Sequence, residues 1–203
     1  MYGKINRRQI LTSHRRIRED YFFRMRQSLS EDTKRHLQRG LLSRLGMVEA
    51  AIIILDDEIS ETQSPMDHYL AEKLALFLNA YYLNLAGSLD NLAWALTYHH
   101  NLIPNVNEAD LKHRRFAQLL TKAFLIELRQ NNLDPLADAL EPFRDWYQDM
   151  REFRDPAAHR IPLRVPPSVW TPTLNQKIAC LDCGFLRRVV TCTAIIAVCS
   201  ESS

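Results

Sequence analysis

The chain has 203 residues, 46% of them hydrophobic and 25% charged, with five glycines and a formal net charge of +2. This is enough for one folded domain with a sizeable core, and it excludes a disordered or collagen-like chain. Abundant Leu, Ala, Arg and Glu with little glycine favours helices over sheets, and near-neutral charge by itself singles out no partner.

The opening stretch, MYGKINRRQILTSHRR, lacks an apolar secretory segment. The longest nearly apolar run, VVTCTAIIAVC, is too short to span a bilayer. A cytoplasmic protein with no membrane contact is expected. Residues 1–44 hold twelve Lys and Arg against four acids, whereas residues 45–72 hold seven acids and no Lys or Arg. The basic stretch can bind a polyanion, or the two stretches can neutralise each other within the fold. We divide the chain into a basic helical arm, residues 1–28, and a helical bundle domain, residues 29–203.

Ser30 reads as the N-cap of a long helix, with Glu31 and Asp32 just inside its start. Gly40 and Gly46 mark a bend or a close helix crossing. Ser64 and Pro65 suit the start of the next helix, Ser64 as cap and Pro65 at the first position. In that helix Leu74, Phe77, Leu78, Tyr81, Leu85, Leu89, Leu92 and Leu96 recur at threes and fours. Such a helix lies deep in a bundle, or faces both a core and a partner chain. His99 and His100 end it, where an imidazolium would complement the helix dipole. Asn107 is placed as the cap of a helix reaching about residue 130. Asp134 then caps another, with Pro135 at its first position. That helix carries FRDWYQDMREFR, and the proline-rich IPLRVPPSVWTP after it reads as extended. A last helix covers roughly residues 174–199. No period-two strand pattern of useful length occurs. The expected fold is all-α, an antiparallel up-and-down bundle of four to five core helices.

Chemistry narrows the options. The chain has no glycine-rich phosphate loop, no GxSxG elbow and no HExxH. Cys180, Cys183, Cys192 and Cys199 all fall in the last predicted helix. The CLDC spacing has no second ligand pair at zinc-finger distance, so these read as reduced, small core residues. The acids of DDE at 56–58 read as solvated or paired with the basic arm. Asp90 interrupts SLDNLAWAL inside the most apolar helix, and a buried carboxylate needs a cationic or hydrogen-bonding partner. The arginines of residues 151–160 are candidates for that role.

The densest chemistry lies in REFRDPAAHRIPL, residues 151–163. Arg154 and His159 stand five apart, about 140° around an ideal helix. Pro156 disfavours helix at Asp155 and removes a backbone donor, so the helix is expected to end or kink there. Arg154 and His159 would then converge on one cleft. A guanidinium grips phosphate oxygens with two parallel hydrogen bonds, and an imidazole exchanges protons near neutral pH. RNA supplies its own nucleophile, the 2′-hydroxyl, so a site of this kind needs no metal. The bland alternative is a finished helix end, with Arg154 paired to an acid such as Asp90 and His159 as a cap.

The stretch resembles the signature of the HEPN superfamily: Arg, four to six residues, then His, often with Asn, Asp or His directly after the Arg. Here it stands as Arg154-Asp155-Pro156-Ala157-Ala158-His159, late in an all-helical chain and followed by RIPL. The upstream SLDNLAWAL is similar to helices found before that motif. The resemblance covers about residues 35–199 and leaves out the basic arm. It implies a dimerising four-helix bundle with the motif near the two-fold axis. Many such proteins are metal-independent endoribonucleases of toxin–antitoxin, defence or RNA-processing systems. It further implies His159 as the proton-transfer group, Arg154 as stabiliser of the phosphate and Asp155 as the group positioning them. Arg151, Arg160 and Arg164 would be RNA-contacting cations. A homodimer, an RNA substrate and a cognate antitoxin or regulator are the implied partners, with no metal or other cofactor. One departure is Ile161: the toxins paired with nucleotidyltransferase antitoxins usually carry a tyrosine at that place. Non-catalytic RNA or nucleotide binding, or a purely structural dimer, are the rival readings.

Overall fold

The computed structural model describes residue 12, residues 15–17, residue 19 and residues 28–61, 67–159 and 163–164; for residues 59–61, 156, 157 and 159 it describes the helical backbone alone. Every regular element among them is a helix, so the fold is all-α. We number the α-helices α1 (Glu31–Arg35), α2 (Ser43–Glu61), α3 (His68–His99), α4 (Leu111–Phe116), α5 (Lys122–Gln130), α6 (Asp134–Leu140) and α7 (Arg144–His159). A π-helical segment, His36–Leu42, joins α1 to α2 without a break, and a 3₁₀ turn, Glu141–Phe143, joins α6 to α7.

The first rod begins as its sequence predicts. Ser30 is extended, and its Oγ accepts a hydrogen bond from Thr33 N at 3.2 Å. Glu31 and Asp32 sit at the positive end of the helix dipole. Three other helix starts differ from expectation. Asp67 caps α3, accepting from Leu70 N at 2.8 Å; the predicted cap Ser64 and Pro65 lie outside the described residues. The single helix expected after Asn107 is two helices. Asp110 caps α4, and Thr121 caps α5 after a turn that buries Ala117, Leu119 and Leu120. Three apolar residues clustered within four positions exceed one helical face, and bending the chain inward buries them all. Asn107 instead closes the preceding turn through Ala109 N→Asn107 Oδ1, 3.0 Å. Leu133 occupies the cap position of α6, so Asp134 is already inside that helix. Asn101 and Asn132, each at positive φ, reverse the chain just past α3 and α5.

Side-chain pairs fix the direction of packing. Glu58 meets Lys73 at 2.6 Å, Arg44 meets Asn84 at 3.3 Å, and His36 meets Asn91 at 3.1 Å, so the first rod runs antiparallel to α3. Glu58 therefore pairs across this crossing. Phe153 stacks on Tyr82 at 5.2 Å, and Leu163, just past α7, bonds to Asn79, whereas Arg154 reaches back toward Asp90. The buried core joins Leu41, Leu45 and Val48 of the first rod to Leu85, Leu89, Leu92 and Leu96 of α3. Phe124 and Leu128 of α5, Leu136 and Leu140 of α6, and Tyr147 and Met150 of α7 complete it, and Ile17 is buried in the same core. Each fully buried large side chain of this kind contributes about 1.5–3 kcal/mol.

Gly40 explains how the rods come so close. A Cβ there would lie 1.9 Å from Asn91 Oδ1 and 2.7 Å from Asn91 Cβ. The π-helical turn presents Gly40 to α3, and the Asn91 carboxamide fills the space that a side chain would need. Gly40→Ala should destabilise the fold by about 1–2 kcal/mol, since overpacking of 1–3 kcal/mol outweighs the helix propensity gained over glycine. A urea titration would show it as a lowered midpoint; an unchanged or raised midpoint would mean that Asn91 swings aside freely.

Candidate functional site

Helix α7 continues through Pro156 to His159. The expected break between Arg154 and His159 is therefore absent. Pro156 removes one donor, leaving the Glu152 carbonyl without its helical partner. Glu152 is exposed, and water can satisfy that carbonyl at modest cost. On an uninterrupted helix, positions 154 and 159 stay about 140° apart around the axis. The register thus does not aim both residues at one point from a single chain.

Arg154 lies between two carboxylates. Its Nη1 donates to Asp155 Oδ1 at 2.9 Å, and its Nη2 is 3.7 Å from Asp90 Oδ2. The Arg154 and Asp90 side chains are 30% and 34% exposed, so the pair sits at the edge of the core, within reach of solvent. Asp155 also accepts from Arg151 Nη2 at 3.4 Å. The partner that Asp90 requires is thus one of the arginines expected from the sequence. Burial pushes the Asp90 carboxyl above its ordinary range, although Arg154, Arg44 and Arg151 all pull it down. Burial also raises the Asp155 carboxyl, but the Arg154 hydrogen bond and the Arg151 and Arg154 charges carry it below its ordinary value. Tyr147, buried beside this group, is pushed up to about 12 by burial and then by the Asp90 charge.

The sequence gives no sign of Arg44 as a member. Its guanidinium lies over Gly87, where a Cβ would be 2.6 Å from Arg44 Cζ. Gly87 precedes Asp90 by one helical turn, so Arg44 adds its charge to those of Arg154 and Arg151 at Asp90. The small residues Ala86, Gly87 and Ser88 just before Asp90 are the only sequence signal of this close approach, and they do not name what approaches.

Of the other predicted residues, Arg164 is exposed. Arg160, the His159 ring and the four cysteines lie outside the described residues. Just upstream of Arg164, Asn79 holds the chain by two backbone hydrogen bonds: Leu163 N→Asn79 Oδ1, 3.0 Å, and Asn79 Nδ2→Leu163 O, 2.9 Å. No group of three or more His, Cys, Asp or Glu side chains among the described residues is arranged to hold a metal ion. No helix among them is long and apolar enough to cross a membrane.

A second polar cluster was invisible in the sequence. His36 is buried, its ring near-parallel to those of Trp94 at 6.0 Å and Tyr98 at 5.5 Å, which are themselves 6.2 Å apart. Its Nδ1 faces Asn91 Oδ1 at 3.1 Å and its Nε2 faces Glu108 Oε1 at 3.2 Å. Glu108 Oε1 also accepts from Tyr98 Oη at 2.8 Å and from Arg35. Burial pushes Glu108 up, but the Tyr98 and His36 hydrogen bonds and the Arg35 charge bring it below its ordinary value. With its groups bonded to one another, the cluster fastens the loop after α3 to the π-helical turn.

His99 and His100 do not act as charged caps. Burial lowers both imidazoles, and His100, with the His99 charge adding to burial, is pushed down to about 4. The folded state keeps these rings neutral, and the dipole benefit of an imidazolium does not repay its desolvation.

No protein-family model, curated protein or solved structure matches this chain.

These environments have measurable consequences. Unfolded histidine takes up a proton near pH 6.5, whereas folded His100 does so only near pH 4. His100 therefore favours the unfolded chain increasingly as pH falls through that window, by about 3 kcal/mol in all. His100→Gln should flatten the loss of stability between pH 6.5 and 4.5 in urea titrations; an unchanged slope would show that the ring is not kept neutral. At the arginine cluster, a double-mutant cycle of Asp90→Asn and Arg154→Gln should give a coupling of about 0.5–1 kcal/mol, the size set by a partly exposed pair. Strict additivity would mean that the two side chains do not interact in solution.

Proposed function

We propose that this chain is a HEPN-like, metal-independent endoribonuclease acting as a homodimer. The observation that carries the reading is Arg154, oriented by Asp155 and Asp90 one turn before the end of a helix that continues to His159. A guanidinium held this way loses little freedom when phosphate oxygens bind its remaining donors. Arg151 and Arg44 keep the cluster cationic despite its two acids. Asp155, below its ordinary range, remains an acceptor that positions Arg154.

The uninterrupted helix favours a composite site. With positions 154 and 159 far apart around one axis, Arg154 from one protomer and His159 from the other can address a single phosphate. In this mechanism one His159 removes the proton of the RNA 2′-hydroxyl, whose oxygen attacks the adjacent phosphorus. The phosphorus–O5′ bond breaks, and a protonated His159 donates to the departing 5′-oxygen. Arg154 stabilises the charge that accumulates on the non-bridging oxygens. The products are a 2′,3′-cyclic phosphate and a 5′-hydroxyl. Arg160 and Arg164 extend the contact to neighbouring phosphates, and a cognate antitoxin or regulator would act by covering this face.

A second reading has its own observation. Arg154 is paired within its own chain to Asp90, which suffices to explain why both residues are there. On that reading the pair is a tie between α3 and α7, and any RNA or nucleotide is bound without being cut.

Purified full-length protein should cleave single-stranded RNA in EDTA and leave 2′,3′-cyclic ends. His159→Ala should lower the rate by roughly 10²–10⁴-fold without lowering the urea midpoint. Salt-dependent binding with no products from the wild type, or equal rates for wild type and His159→Ala, would remove the catalytic assignment and leave the tie.

A further inference from the structure

Phe153 stands directly before Arg154 on α7, and its residue is 42% exposed. Among the described residues only Tyr69, in the first turn of α3, is a second large apolar ring exposed to this degree. Phe153 differs from it in what lies beneath. Its ring stacks on Tyr82 at 5.2 Å, with 17° between the planes. Tyr82 is buried and meets Tyr81 edge to face at 5.1 Å. Three rings thus lead from the core to the surface, and the two below hold the outermost in one orientation.

A single exposed phenylalanine is ordinary on a protein surface. This one is set beside cations. Arg154 follows it in the chain, with Cα atoms about 3.8 Å apart, and Arg151 precedes it by two residues. Both Phe153 and Arg154 lean toward α3, where the first meets Tyr82 and the second approaches Asp90. Tyr82 and Asp90 are eight residues apart, or about 12 Å along that helix. A flat apolar surface and oriented guanidinium donors therefore adjoin.

A ligand matched to this surface is planar at one place and anionic at the next. A nucleotide is both: its base presents a π face that any aromatic ring can stack upon, and its phosphate suits a guanidinium. A lipid headgroup brings the anion without the plane. An acidic peptide brings carboxylates, which Asp90 and Asp155 already supply to these arginines. The bases of a duplex are stacked on one another, whereas an unpaired base can turn out onto a ring.

We propose that Phe153 is the base platform of the Arg154 site: an unpaired nucleobase of single-stranded RNA stacks on its exposed side while the adjoining phosphate meets Arg154. This rests on the reading of Arg154 as a phosphate-binding group and adds to it a substrate class, RNA with unpaired bases, and a residue that selects it. Tyr82, beneath the platform, is a positioning residue.

Full-length protein and a short single-stranded oligouridine test this, with the 2′-oxygens methylated so that the strand binds without being cut. By fluorescence anisotropy, Phe153→Leu should weaken binding roughly 5- to 100-fold, the range for one stacked base, and Phe153→Trp should restore it. Tyr69→Leu, at the exposed ring away from the site, should change nothing. For duplex RNA the Phe153→Leu substitution should make no difference. With 5-iodouridine in the single strand, irradiation should cross-link the peptide that carries Phe153. Equal affinity of wild type and Phe153→Leu for the single strand would overturn the proposal. So would an equal loss on duplex and single strand, cross-links confined to other peptides, or displacement of the strand by an equal concentration of uridine monophosphate, which would make a free nucleotide the ligand. Cleavage of unmodified RNA is a separate readout. Phe153-dependent binding without cleavage would leave the platform and remove the endoribonuclease. Cleavage with a KM indifferent to Phe153→Leu would do the reverse, and no binding at low salt would remove both.

Discussion

Asp90 sits in the most apolar helix of the chain, and a carboxylate placed there has to be met by positive charge. Much of the arrangement around α3 answers that requirement. Helix α7 brings Arg154 within 3.7 Å. The first rod brings Arg44 across the bare backbone of Gly87. Arg151 stands one turn before Asp155 and bonds to it. Even so, burial outweighs these cations and holds the carboxyl above its ordinary range. At Asp155, bonded to the same Arg154, the balance is reversed and the arginines prevail over burial.

The helical class, the Ser30 cap and the apolar face of α3 were legible because each depends on neighbours in sequence. The Asp90–arginine pairing was legible for a different reason: burying a carboxylate is costly enough to demand a cation, and few cations were available nearby. What failed depended on competition between local signals. Ser64, Asp67 and Asn107, Asp110 are pairs of acceptable caps, and burial of Ala117, Leu119 and Leu120 decided where the second pair's helix would end. Pro156 disfavours a helix by sequence, yet α7, anchored by Tyr147, Met150 and Arg154, runs through it. Arg44 and the His36 cluster could not be read at all, because both arise from helix crossings. Gly40 and Gly87 permit those crossings, and a glycine shows that something comes near without showing what.

The charge balance of the site bears on which reading of Arg154 holds. Three arginines act on Asp90 and two of them on Asp155, so the cluster is not neutralised internally. A purely structural tie would need one cation for Asp90 and none for Asp155, which lies on the outer part of α7. The surplus charge is instead arranged about Arg154, whose side chain retains 30% of its exposure. A phosphate arriving there would meet guanidinium donors already oriented, and would compete with Asp90 for Arg154 rather than with water alone.

Both flanks of the motif are fixed to the same helix. Arg154 is held at Asp90, and Leu163 is held at Asn79, eleven residues back along α3, or about 16 Å. His159 lies between these ties, four residues before Leu163, so its backbone remains within about 14 Å of the Asn79 anchor. The motif is therefore strung along α3 antiparallel to it, and its end cannot swing away without breaking the Asn79 clamp. A loose helix terminus would let the end of α7 sample many positions. Two ties of different chemistry, one ionic and one formed by paired amide hydrogen bonds, restrict that sampling under conditions that would weaken only one of them: salt screens the first and leaves the second in place.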